Sequence, residues 1–565
     1  MKSRLWVFRD IDPSQRAALA QALSIAPATA SLLLARGVTT PDQATSWMAH
    51  QLPHDPFLIP DMEQAVERLH RAVTTHEPIC FYGDYDVDGI TATSLYLSFF
   101  GGLGANVRAY MPHRLREGYG LNSGAVQRLH EEGISLLVTS DCGTTAHREV
   151  ALAAQLGMDV IVTDHHQTDE QMPPAVAVLN PHRADARYPF RGLCSAALAY
   201  KTSQAYQLRY GKSSVPLDSL LDLVALATIA DVVPLRDENR GFVREGLVQL
   251  SRGARCGVRA LKQVAGVTRD CTAETIAFKL APRINAAGRL DDAMLGVRLL
   301  TTESPAEAQR LADRLEQLNR ERQKVEADIM TEALALLKDQ ELPPAIVLAS
   351  RQWHLGVVGI VAARLVERFH RPAIVIAING QGIGKGSART VGGFDLYQGL
   401  AACRDLVEAF GGHPSAAGVT VCESRLDEFR ARFCDVVAGW TSETAKVPML
   451  HVDAELRLDE VNLRLIQEIG SLHPFGAGNP EPTFAVTRLE VMDSRTVGEK
   501  HLKMTVRQGG SQPFDSIGFG MKSLLERGIP SRTPVDLAFM PELNHWNGYD
   551  RIQLRIRDVR PSVIE

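Results

Sequence analysis

The chain has 565 residues, of which 45% are hydrophobic and 22% are charged, and its formal net charge at pH 7 is −5. Hydrophobic cores stop growing near about 250–300 residues, so this length predicts two to four domains, each able to bury a core. The charge balance excludes a globally basic nucleic-acid-binding protein, so any nucleic-acid partner would need a local basic surface.

The N-terminus and the cysteines bear on the cellular compartment. The N-terminal sequence MKSRLWVFRDIDPS lacks the apolar segment of a signal peptide, and no run of about 18 apolar residues occurs. None of the eight cysteines forms a C-x-x-C pair, which argues against a zinc ribbon or a thioredoxin-like site. These features predict a soluble cytoplasmic protein with reduced thiols and no membrane partner.

Between about residues 75 and 180 the sequence alternates short apolar runs with helical patterns. The runs EPICFYGD, ISLLVTSD and MDVIVTDHH are separated by segments such as ITATSLYLSFFGGLG and REVALAAQLG. This alternation is typical of βαβ units and predicts a mainly parallel sheet with helices on both faces. We assign residues 1–300 to this α/β domain, with a core at about 75–235 and an N-terminal extension.

The run FYGDYDVDGI places Asp84, Asp86 and Asp88 at every second position before Gly89. This spacing reproduces the start of an EF-hand calcium loop, but the closing glutamate of that loop would fall at Leu95. A strand pattern also precedes the aspartates where an EF-hand needs a helix. Two alternatives then remain, which are a solvated acidic turn and a site that requires clustered carboxylates.

Acidic and imidazole side chains follow three successive predicted strands. They are Asp84 after FYG, Asp141 after LLVTS, and Asp164, His165 and His166 after VIVT, while Asp231 ends the apolar run LATIA. Ligand crevices of open α/β sheets lie at the carboxyl ends of the strands, so these groups are predicted to share one rim. Isolated surface aspartates have no preference for strand ends, which weighs against the solvated-turn alternative.

Carboxylates crowded in this way repel one another unless a cation neutralises them. Mixed Asp and His ligation without cysteine favours Mn²⁺ or Mg²⁺ over zinc. Six or more ligands exceed the needs of one ion. Two ions about 3.5–4 Å apart, bridged by an aspartate, would use them all and would suit hydrolysis of a phosphate ester or anhydride.

Beyond this domain the sequence predicts a long helix and a second, smaller α/β domain. Residues 301–342 contain a highly charged, helix-prone segment that starts at a capping box, Ser304 to Glu307, and ends before Pro343. A helix this long and this polar is expected to connect two domains. The runs AIVLAS and PAIVIAING restart the α/β pattern in residues 343–442.

Residues 443–565 change to a strand pattern that suits a small barrel of the OB type. In HLKMTVRQ and RIQLRIRD, apolar and polar residues alternate, so each strand has a core face and a basic face. The basic faces carry Lys503, Arg507, Arg555 and Arg557. These faces are either ordinary solvated sheet or a groove for single-stranded nucleic acid, with Trp546 and Tyr549 nearby for base stacking.

Several stretches resemble a known superfamily. GDYDVDG, SDCGT, VTDHH and IADVVPL resemble, in order and spacing, the four motifs of the DHH phosphoesterase superfamily. MPHRLREGYGLN, APRINAAGRL, GGHPSAAG and HPFGAGNPEP are similar to stretches of its single-strand-specific exonucleases, and the resemblance runs from about residue 45 to the C-terminus. It implies a parallel-sheet DHH domain, a long connecting helix, a smaller α/β DHH-associated domain and a C-terminal OB-type β-barrel.

The resemblance also implies roles for individual residues. The implied metal ligands, with Asp141 as the bridge, are Asp86, Asp88, Asp141, His165 and Asp231. Asp84, Asp164 and His166 belong to the same motifs of the catalytic centre, either as ligands or as groups that orient ligands. One position departs from the pattern, because Tyr82 stands where members that cleave small phosphates often have histidine. This departure argues against an inorganic pyrophosphatase.

Two further groups of residues are candidates for substrate binding. The first consists of Ser387, Arg389 and His413, and the second consists of Arg283, Asn285 and Arg289. The first group lies in glycine-rich stretches similar to the substrate-binding part of the DHH-associated domain and would cradle a phosphate, unless it is only a glycine-rich hairpin. The second would contact a nucleic-acid backbone, unless its arginines anchor the sheet to the long helix. Arg114 is open to the same two interpretations.

The function implied is a Mn²⁺- or Mg²⁺-dependent exonuclease that degrades single-stranded DNA from the 5′ end to mononucleotides, in DNA repair and recombination. The implied partners are single-stranded DNA, a single-strand-binding protein and a helicase. Two alternatives remain, which are a DHH phosphodiesterase for short oligonucleotides or cyclic dinucleotides and a non-catalytic nucleic-acid-binding scaffold. The barrel and the long helix would have no task in the first, and a scaffold has no use for the repulsion within the full acidic set.

Overall fold

The computed structural model describes residues 4–49, 54–338, 341–440, 448–526, 534–546 and 549–562. The chain divides into two compact units, one formed by Leu52–Ser442 and one formed by Met1–Gln51 together with Glu443–Glu565. Within the described residues, no single helix is both long and apolar enough to cross a bilayer, and α1 (Pro13–Leu23) and α2 (Pro27–Ala35) meet those criteria only when counted together as a bent pair.

The described strands and helices include the βαβ pattern, the long helix and the C-terminal strands that the sequence predicts. The strands are β1 (Leu5–Phe8), β2 (Ile79–Gly83), β3 (Val107–Tyr110), β4 (Leu136–Ser140), β5 (Asp159–Thr163), β6 (Ala177–Leu179), β7 (Ile346–Ser350), β8 (Ala373–Ile378), β9 (Ile383–Arg389), β10 (Ala409–His413), β11 (Ala416–Cys422), β12 (Met449–Val452), β13 (Ala454–Glu455), β14 (Phe484–Val497), β15 (His501–Arg507), β16 (Phe514–Gly518), β17 (Val535–Trp546) and β18 (Tyr549–Pro561). The helices after α1 and α2 are α3 (Pro41–Met48), α4 (Met62–Thr74), α5 (Val87–Gly101), α6 (Ser123–Glu131), α7 (His147–Gln155), α8 (Ser195–Tyr210), α9 (Leu221–Ala230), α10 (Asp237–Arg252), α11 (Cys256–Val264), α12 (Ala273–Thr275), α13 (Ala281–Leu290), α14 (Met294–Thr301), α15 (Pro305–Leu336), α16 (Leu355–Phe369), α17 (Leu396–Ala401), α18 (Leu426–Trp440), α19 (Leu463–Ser471) and α20 (Lys522–Glu526).

The first α/β domain is built on a five-stranded sheet in the order β3-β2-β4-β5-β6, and all its pairings are parallel. Ile79 and Phe81 pack in one apolar cluster, while Cys80 and Tyr82 pack in another. Successive side chains of a strand point to opposite faces, so helices cover both sides of this sheet. The predicted parallel sheet is confirmed, and the carboxyl ends of its strands all lie at the same edge of the sheet.

The long helix α15 packs on both domains of the larger unit. It has 32 residues, and Ser304 caps it by accepting a hydrogen bond from the backbone N–H of Glu307. The Glu307 carboxylate accepts from Thr302 instead of completing the predicted capping box. Leu315 joins the core of the first α/β domain, and Ile329 joins the core of the second. The helix is therefore a buried connection along much of its length.

The second α/β domain has a five-stranded sheet in the order β10-β11-β9-β8-β7. Only the β7–β8 pairing is parallel, and the other pairings described for this sheet are antiparallel. Apolar residues of α15 and α16 cover one face of the sheet, and those of α17 and α18 cover the other. This arrangement confirms the smaller α/β domain and places the ends of β9 and β10 side by side through β11.

The C-terminal strands close into a barrel. They run in the order β13-β14-β15-β16-β18-β17, and an additional pairing of β14 with β17 closes the ring. Leu502, Met504 and Val506 are buried in its core, as their alternation with polar residues predicts. The OB-type barrel is thus confirmed.

The N-terminal segment forms part of the same unit as the barrel. Strand β1 pairs in parallel with β12, and the buried Leu32 and Leu33 of α2 share a core with residues of α19 and the barrel. Arg36 donates hydrogen bonds to the Asn479 side chain and the Pro480 carbonyl, which fixes the HPFGAGNPEP segment as a structured turn. The sequence patterns place residues 1–300 in one domain, but the contacts group Met1–Gln51 with the C-terminal segment.

Candidate metal centre

The loops at the carboxyl ends of β2, β4 and β5 bring the predicted acidic and imidazole side chains together. Asp231 reaches the same place from the C-terminal end of α9. The side chains form three groups of possible metal ligands. Within each group, the candidate ligand atoms lie within 4.8 Å of one another. The groups are Asp141–His165–His166, Asp88–His165–Asp231 and Asp84–Asp86–Asp141. These groups share members, so the residues form one continuous cluster.

The loop after β2 is held by hydrogen bonds to the Asp86 carboxylate and by a close backbone approach at Gly89. The carboxylate of Asp86 caps α5 by accepting hydrogen bonds from the N–H groups of Asp88 and Gly89, at 2.9 and 3.2 Å. A Cβ atom at Gly89 would lie 2.3 Å from the carbonyl oxygen of Asp84, so only glycine fits there. Asp84 is buried, and its Oδ1 has no hydrogen-bond partner among the described residues.

Asp88 and Asp141 are positioned by the start of α8. Both carboxylate oxygens of Asp88 accept backbone hydrogen bonds, from the N–H of Ser195 at 2.7 Å and of Ala196 at 2.8 Å. The Ser195 hydroxyl lies 3.3 Å from Oδ1 of Asp141. Asp141 has a left-handed backbone with φ of 68°, a conformation that aspartate tolerates better than most residues. This turn aims the Asp141 carboxylate inward, toward the other acids.

His165 lies where the carboxylates converge. Its Nε2 atom is 3.2 Å from Asp141, 3.5 Å from Asp231 and 3.6 Å from Asp88. Burial lowers the pKa of His165, although the charge of Asp88 opposes that shift. The neutral imidazole offers an unprotonated nitrogen, which is the form that binds a metal ion.

Asp164 and His166 form a hydrogen-bonded pair beside this point. Asp164 accepts from Nδ1 of His166 at 2.7 Å and from the backbone N–H groups of Thr144, His165 and His166. Burial alone would raise the pKa of Asp164, but the hydrogen bond and charge of His166 lower it. The same pair raises the pKa of His166 to about 9 against the opposing effect of burial. This geometry favours Asp164 as a group that orients a neighbour over Asp164 as a ligand.

The remaining carboxylates carry charge that the protein does not balance. Burial is the largest cause that raises the pKa values of Asp84, Asp88, Asp141 and Asp231, and the neighbouring aspartates add to it. The pKa of Asp231 rises to about 8. A divalent cation would remove both the repulsion and the unsatisfied oxygen of Asp84. The donor set of carboxylate oxygen and imidazole nitrogen fits Mn²⁺ or Mg²⁺.

A cleft of about 520 Å³ opens beside the cluster, between the two α/β domains of the larger unit. Arg114 and Tyr119 line it from the first domain, and Ser387 and Arg389 line it from the second. Arg389 donates to the Ser387 hydroxyl at 2.9 Å. The His413 ring, at the end of β10, stacks near His166 with 6.4 Å between the ring centroids. The predicted phosphate-binding residues therefore face the acidic cluster.

The cleft is strongly cationic on this side. Burial is the first cause that lowers the pKa of Arg289, to about 10, and the charges of Arg114 and Arg322 lower it further. Burial and the charge of Arg114 likewise lower the pKa of Arg389. Arginines that repel one another in this way are well placed to share an anionic ligand.

The other residues of APRINAAGRL have structural partners. The Arg283 Nε atom lies 2.7 Å from the Glu316 carboxylate of α15. Of the two alternatives given for this arginine, the contact therefore supports the one in which it anchors its domain to the long helix. The Asn285 side chain accepts a hydrogen bond from the N–H of Val87 and thereby steadies the acidic loop. Arg289 donates to the Gly356 carbonyl at 2.9 Å. Contacts of these residues with a nucleic-acid backbone stay a prediction.

The basic faces of the barrel strands are paired with acids. Lys503 lies 3.2 Å from Asp515, and Arg507 lies 2.6 Å from Glu490. Arg555 and Arg557 both bind the carboxylate of Glu481. The predicted core and polar faces are confirmed, but the polar face is a network of ion pairs and not a purely basic surface. The side chains of Trp546 and Tyr549 lie outside the described part of the structure.

Sequence reasoning missed the role of Tyr119. Its hydroxyl donates to the Asp141 carbonyl and lies 3.2 Å from Nδ1 of His166, and the residue lines the cleft and is 55% exposed. Gly118 and Gly120 flank it with φ of 84° and 83°, so the glycine–tyrosine–glycine run was the available signal. Tyr82 stands where related enzymes for small phosphates often have histidine. Its hydroxyl donates a hydrogen bond to the Gly120 carbonyl, so this tyrosine supports the loop that carries Tyr119.

Three family models match successive parts of the chain. The N-terminal domain of the DHH family matches residues 78–228, the DHHA1 domain matches 342–439, and the RecJ OB domain matches 452–558. Their order is the order of the two α/β domains and the barrel described above.

Curated relatives cover nearly the whole chain. The single-stranded-DNA-specific exonuclease RecJ of Bacillus subtilis (strain 168) is 39% identical over 564 residues, covering 99% of this chain and 71% of the relative. The protein of the same name from Dickeya dadantii (strain 3937) is 38% identical, covering 89% of this chain and 91% of the relative.

Solved structures agree with these relatives. The crystal structure of RecJ in complex with Mn²⁺ from Thermus thermophilus has a TM-score of 0.86 and 31% identity, covering 100% of this chain and 81% of that one. The corresponding complex with Mg²⁺ has a TM-score of 0.79 and 28% identity, covering 99% of this chain and 79% of that one.

Proposed function

This chain belongs to the RecJ family of single-stranded-DNA-specific exonucleases, and from that membership we propose that it hydrolyses single-stranded DNA from the 5′ end to 5′-mononucleotides. The observation that carries the proposal is the partly buried cluster of unbalanced carboxylates facing an arginine-lined cleft. A phosphodiester bound between the two would meet cations on one side and metal-binding groups on the other.

The ions would be held by the residues at the centre of the cluster. These are Asp86, Asp88, Asp141, His165 and Asp231. Asp141 and His165 each belong to two of the three atom groups. Asp141 would be the bridge, because a carboxylate can offer one oxygen to each ion and an imidazole Nε2 cannot. When bound, two Mn²⁺ or Mg²⁺ ions supply an activated water and stabilise the charge that develops on the phosphate. Asp84, whose Oδ1 has no partner in the described part of the chain, is the remaining acid that could join them.

The protein's own groups set the geometry of this reaction. The N–H groups of Ser195 and Ala196 fix both oxygens of Asp88, so that carboxylate does not rotate. Asp164 holds the His166 ring through the hydrogen bond from Nδ1, and this bond and the charge of Asp164 raise the pKa of His166 against the effect of burial. A protonated His166 at the rim can donate a hydrogen bond to a phosphate oxygen, which orients the substrate over the cluster.

The direction of degradation requires recognition of an end. A terminal 5′ phosphate carries more negative charge than an internal phosphodiester, so a cationic pocket distinguishes the two. Ser387, Arg389 and His413 would hold the terminal phosphate while the next linkage lies over the acidic cluster. The placement of His413 beside His166 supports this arrangement, because it brings the second domain to the rim.

The remaining partners follow from the substrate. An enzyme that accepts only single strands needs another activity to separate a duplex, so we propose that a helicase and a single-strand-binding protein work with it. The barrel strands that carry Lys503, Arg507, Arg555 and Arg557 would guide the strand. The cytoplasm, where the eight free cysteines would stay reduced, is the proposed compartment.

The test uses single-stranded DNA labelled at the 5′ or the 3′ end, with Mn²⁺ or with EDTA. We expect mononucleotide release from the 5′ label first, only in the presence of the metal ion. Hydrolysis confined to dinucleotides or cyclic dinucleotides would favour the phosphodiesterase alternative. Binding of the strand without hydrolysis under any metal condition would favour the scaffold.

A further inference from the structure

The turn that follows α9 has an unusual residue at an unusual backbone conformation. Asp231 is the last residue associated with the helix, and Val232 follows it with φ of 59°. The position after a helix C-cap commonly adopts this left-handed conformation, and glycine or asparagine normally occupies it. Valine is among the residues least suited to it, because its branched Cβ clashes with the backbone.

The fold does not compensate for this strain at Val232. Its N–H makes a long hydrogen bond to the Ile229 carbonyl, at 3.3 Å, which any residue could make. The side chain is 70% exposed, so little of its apolar surface is removed from water. The next residue, Val233, packs against the domain core and already provides the apolar anchor of this turn. A glycine or an asparagine at 232 would serve the fold better than valine.

The position of Val232 relates it to the reaction. Adjacent Cα atoms are about 3.8 Å apart, so Val232 is an immediate neighbour of Asp231. The Asp231 carboxylate lies 3.5 Å from Nε2 of His165, at the centre of the acidic cluster. The exposed valine therefore directly follows, in the chain, a residue of the cluster where the scissile phosphate is proposed to lie.

We propose that Val232 is a substrate-contacting residue that packs against the apolar surface of the nucleotide bound at the acidic cluster. This inference rests on the proposed function and deepens it. The charged groups of the site recognise phosphate, which every phosphoester carries, so they do not select a nucleotide. An apolar side chain beside them adds contact with the deoxyribose or the base. The strained valine is explained if substrate supplies the burial that the fold lacks.

The test compares two variants with the wild-type protein. Val232→Asn suits the left-handed backbone but loses the apolar surface, and Val232→Met keeps an apolar side chain in the strained conformation. We expect Val232→Asn to raise the melting temperature by about 1–3 °C and to raise KM for single-stranded DNA by about five- to tenfold, with kcat within about twofold. Val232→Met should keep KM within about twofold of the wild-type value.

Two altered substrates identify the surface that Val232 contacts. If the base is contacted, an abasic site at the 5′-terminal nucleotide should erase the KM difference between wild type and Val232→Asn. If the sugar is contacted, a ribose at that nucleotide should weaken binding to the wild type more than to Val232→Asn, because the 2′-hydroxyl would lose water against valine.

Three results would overturn the inference. An unchanged KM in Val232→Asn, with the melting temperature raised, would mean that valine is only tolerated at this turn. A loss of kcat together with weaker Mn²⁺ binding by calorimetry would mean that Val232 acts through Asp231. A wild-type protein that releases no nucleotide from single-stranded DNA would refute the proposed function itself, whereas an active wild type with either of the first two results would refute only the role of Val232.

Discussion

Charged residues are used in opposite ways at the acidic cluster and on the barrel strands. At the cluster, Asp84 has an oxygen without a partner among the described residues, and burial and like charges raise the pKa of Asp141. On the barrel, Arg555 and Arg557 share the carboxylate of Glu481, and Arg507 binds Glu490. Both regions look equally charged in the sequence.

The difference shows how a ligand site can be distinguished from an ordinary polar surface. Exposed ion pairs contribute little to stability, and their charges are already balanced. Buried like charges destabilise the protein that contains them unless a ligand completes the site. A site that needs a ligand is therefore marked by buried like charges that no opposite charge of the protein balances, not by the number of its charges. The following predictions test that distinction.

The largest effect is expected for Asp141→Asn, which removes the proposed bridging carboxylate. We expect kcat to fall by at least about a thousandfold at saturating Mn²⁺, because metal ions supply several kcal/mol of transition-state stabilisation. The melting temperature in EDTA should rise, because the charged forms of Asp84, Asp88 and Asp231 lose a like-charged neighbour. Turnover assays and thermal unfolding in EDTA check both results.

The matched control is Asp222→Asn, because Asp222 is also buried but binds Arg255 at 2.8 and 3.2 Å. It should lower the melting temperature and keep kcat. If both variants changed stability in the same direction, the contrast between partnered and unpartnered acids would be wrong.

The second effect concerns Arg389, whose described hydrogen-bond partners are the Ser387 hydroxyl and a backbone carbonyl. Loss of a charge-assisted contact costs about 1.5–3 kcal/mol. Arg389→Ala should therefore lower kcat/KM on 5′-phosphorylated single strands by about ten- to a hundredfold and should affect 5′-hydroxyl strands less. Arg351→Ala, which removes an exposed arginine paired with Glu423, is the control and should change neither value. Equal losses on both substrates would assign Arg389 to internal phosphates.

The third effect tests whether paired charges on the barrel can be released. Glu481→Gln should free Arg557 and should leave Arg555 with its weaker pair to Glu542, at 3.5 Å. We expect the Kd for single-stranded DNA at low salt to fall by about two- to fivefold. The dependence of log K on log salt should steepen by about 0.7 for each additional phosphate contact. Fluorescence anisotropy in EDTA measures both values. The control is Asp459→Asn, which frees the exposed Arg457 and should leave the affinity for single-stranded DNA unchanged. If Glu481→Gln also left this affinity unchanged, Arg555 and Arg557 would not contact the DNA strand.

The smallest effect on turnover is expected for Arg283→Ala. Arg283 and Glu316 are 14% and 15% exposed, so loss of their ion pair should lower the free energy of unfolding by about 1–3 kcal/mol. The value of kcat/KM should stay within about twofold. Arg320→Ala is a matched control, because Arg320 binds the same Glu316 but is 75% exposed and should change stability little. A large loss of kcat/KM with unchanged stability would place Arg283 among the substrate-binding residues.

The sequence predicted the acidic cluster because a general rule connects strand ends to one edge of a parallel sheet. Asp84, Asp141 and Asp164 each follow a buried strand, so their meeting did not depend on distant contacts. The support that Ser195 gives to Asp88 could not be predicted, because it joins residues 107 positions apart through a backbone N–H. The partners of Arg555 and Arg557 were missed for the same reason.

Local sequence patterns also could not predict that the N-terminal segment groups with the barrel. The helix α2 is apolar around its whole circumference, so its sequence does not show which surface of the protein buries it. The strand β1 is short, and its partner β12 is far away in the chain. Sequence patterns therefore predicted the parallel sheet, the long helix and the faces of two barrel strands, while pairing between distant elements had to be observed.

That pairing has a consequence for how the protein is made. The Ala26 N–H binds Glu468 across 442 residues. At about 5–20 residues per second, the ribosome would need roughly 20–90 s to reach Glu468 after Ala26. During that interval Leu32 and Leu33 lack the surface that buries them, while the two α/β domains between them and the barrel can already fold. We therefore expect the segment that contains α2, although it is synthesised well before its partners, to be among the last to reach its native position, and to depend on chaperones until then.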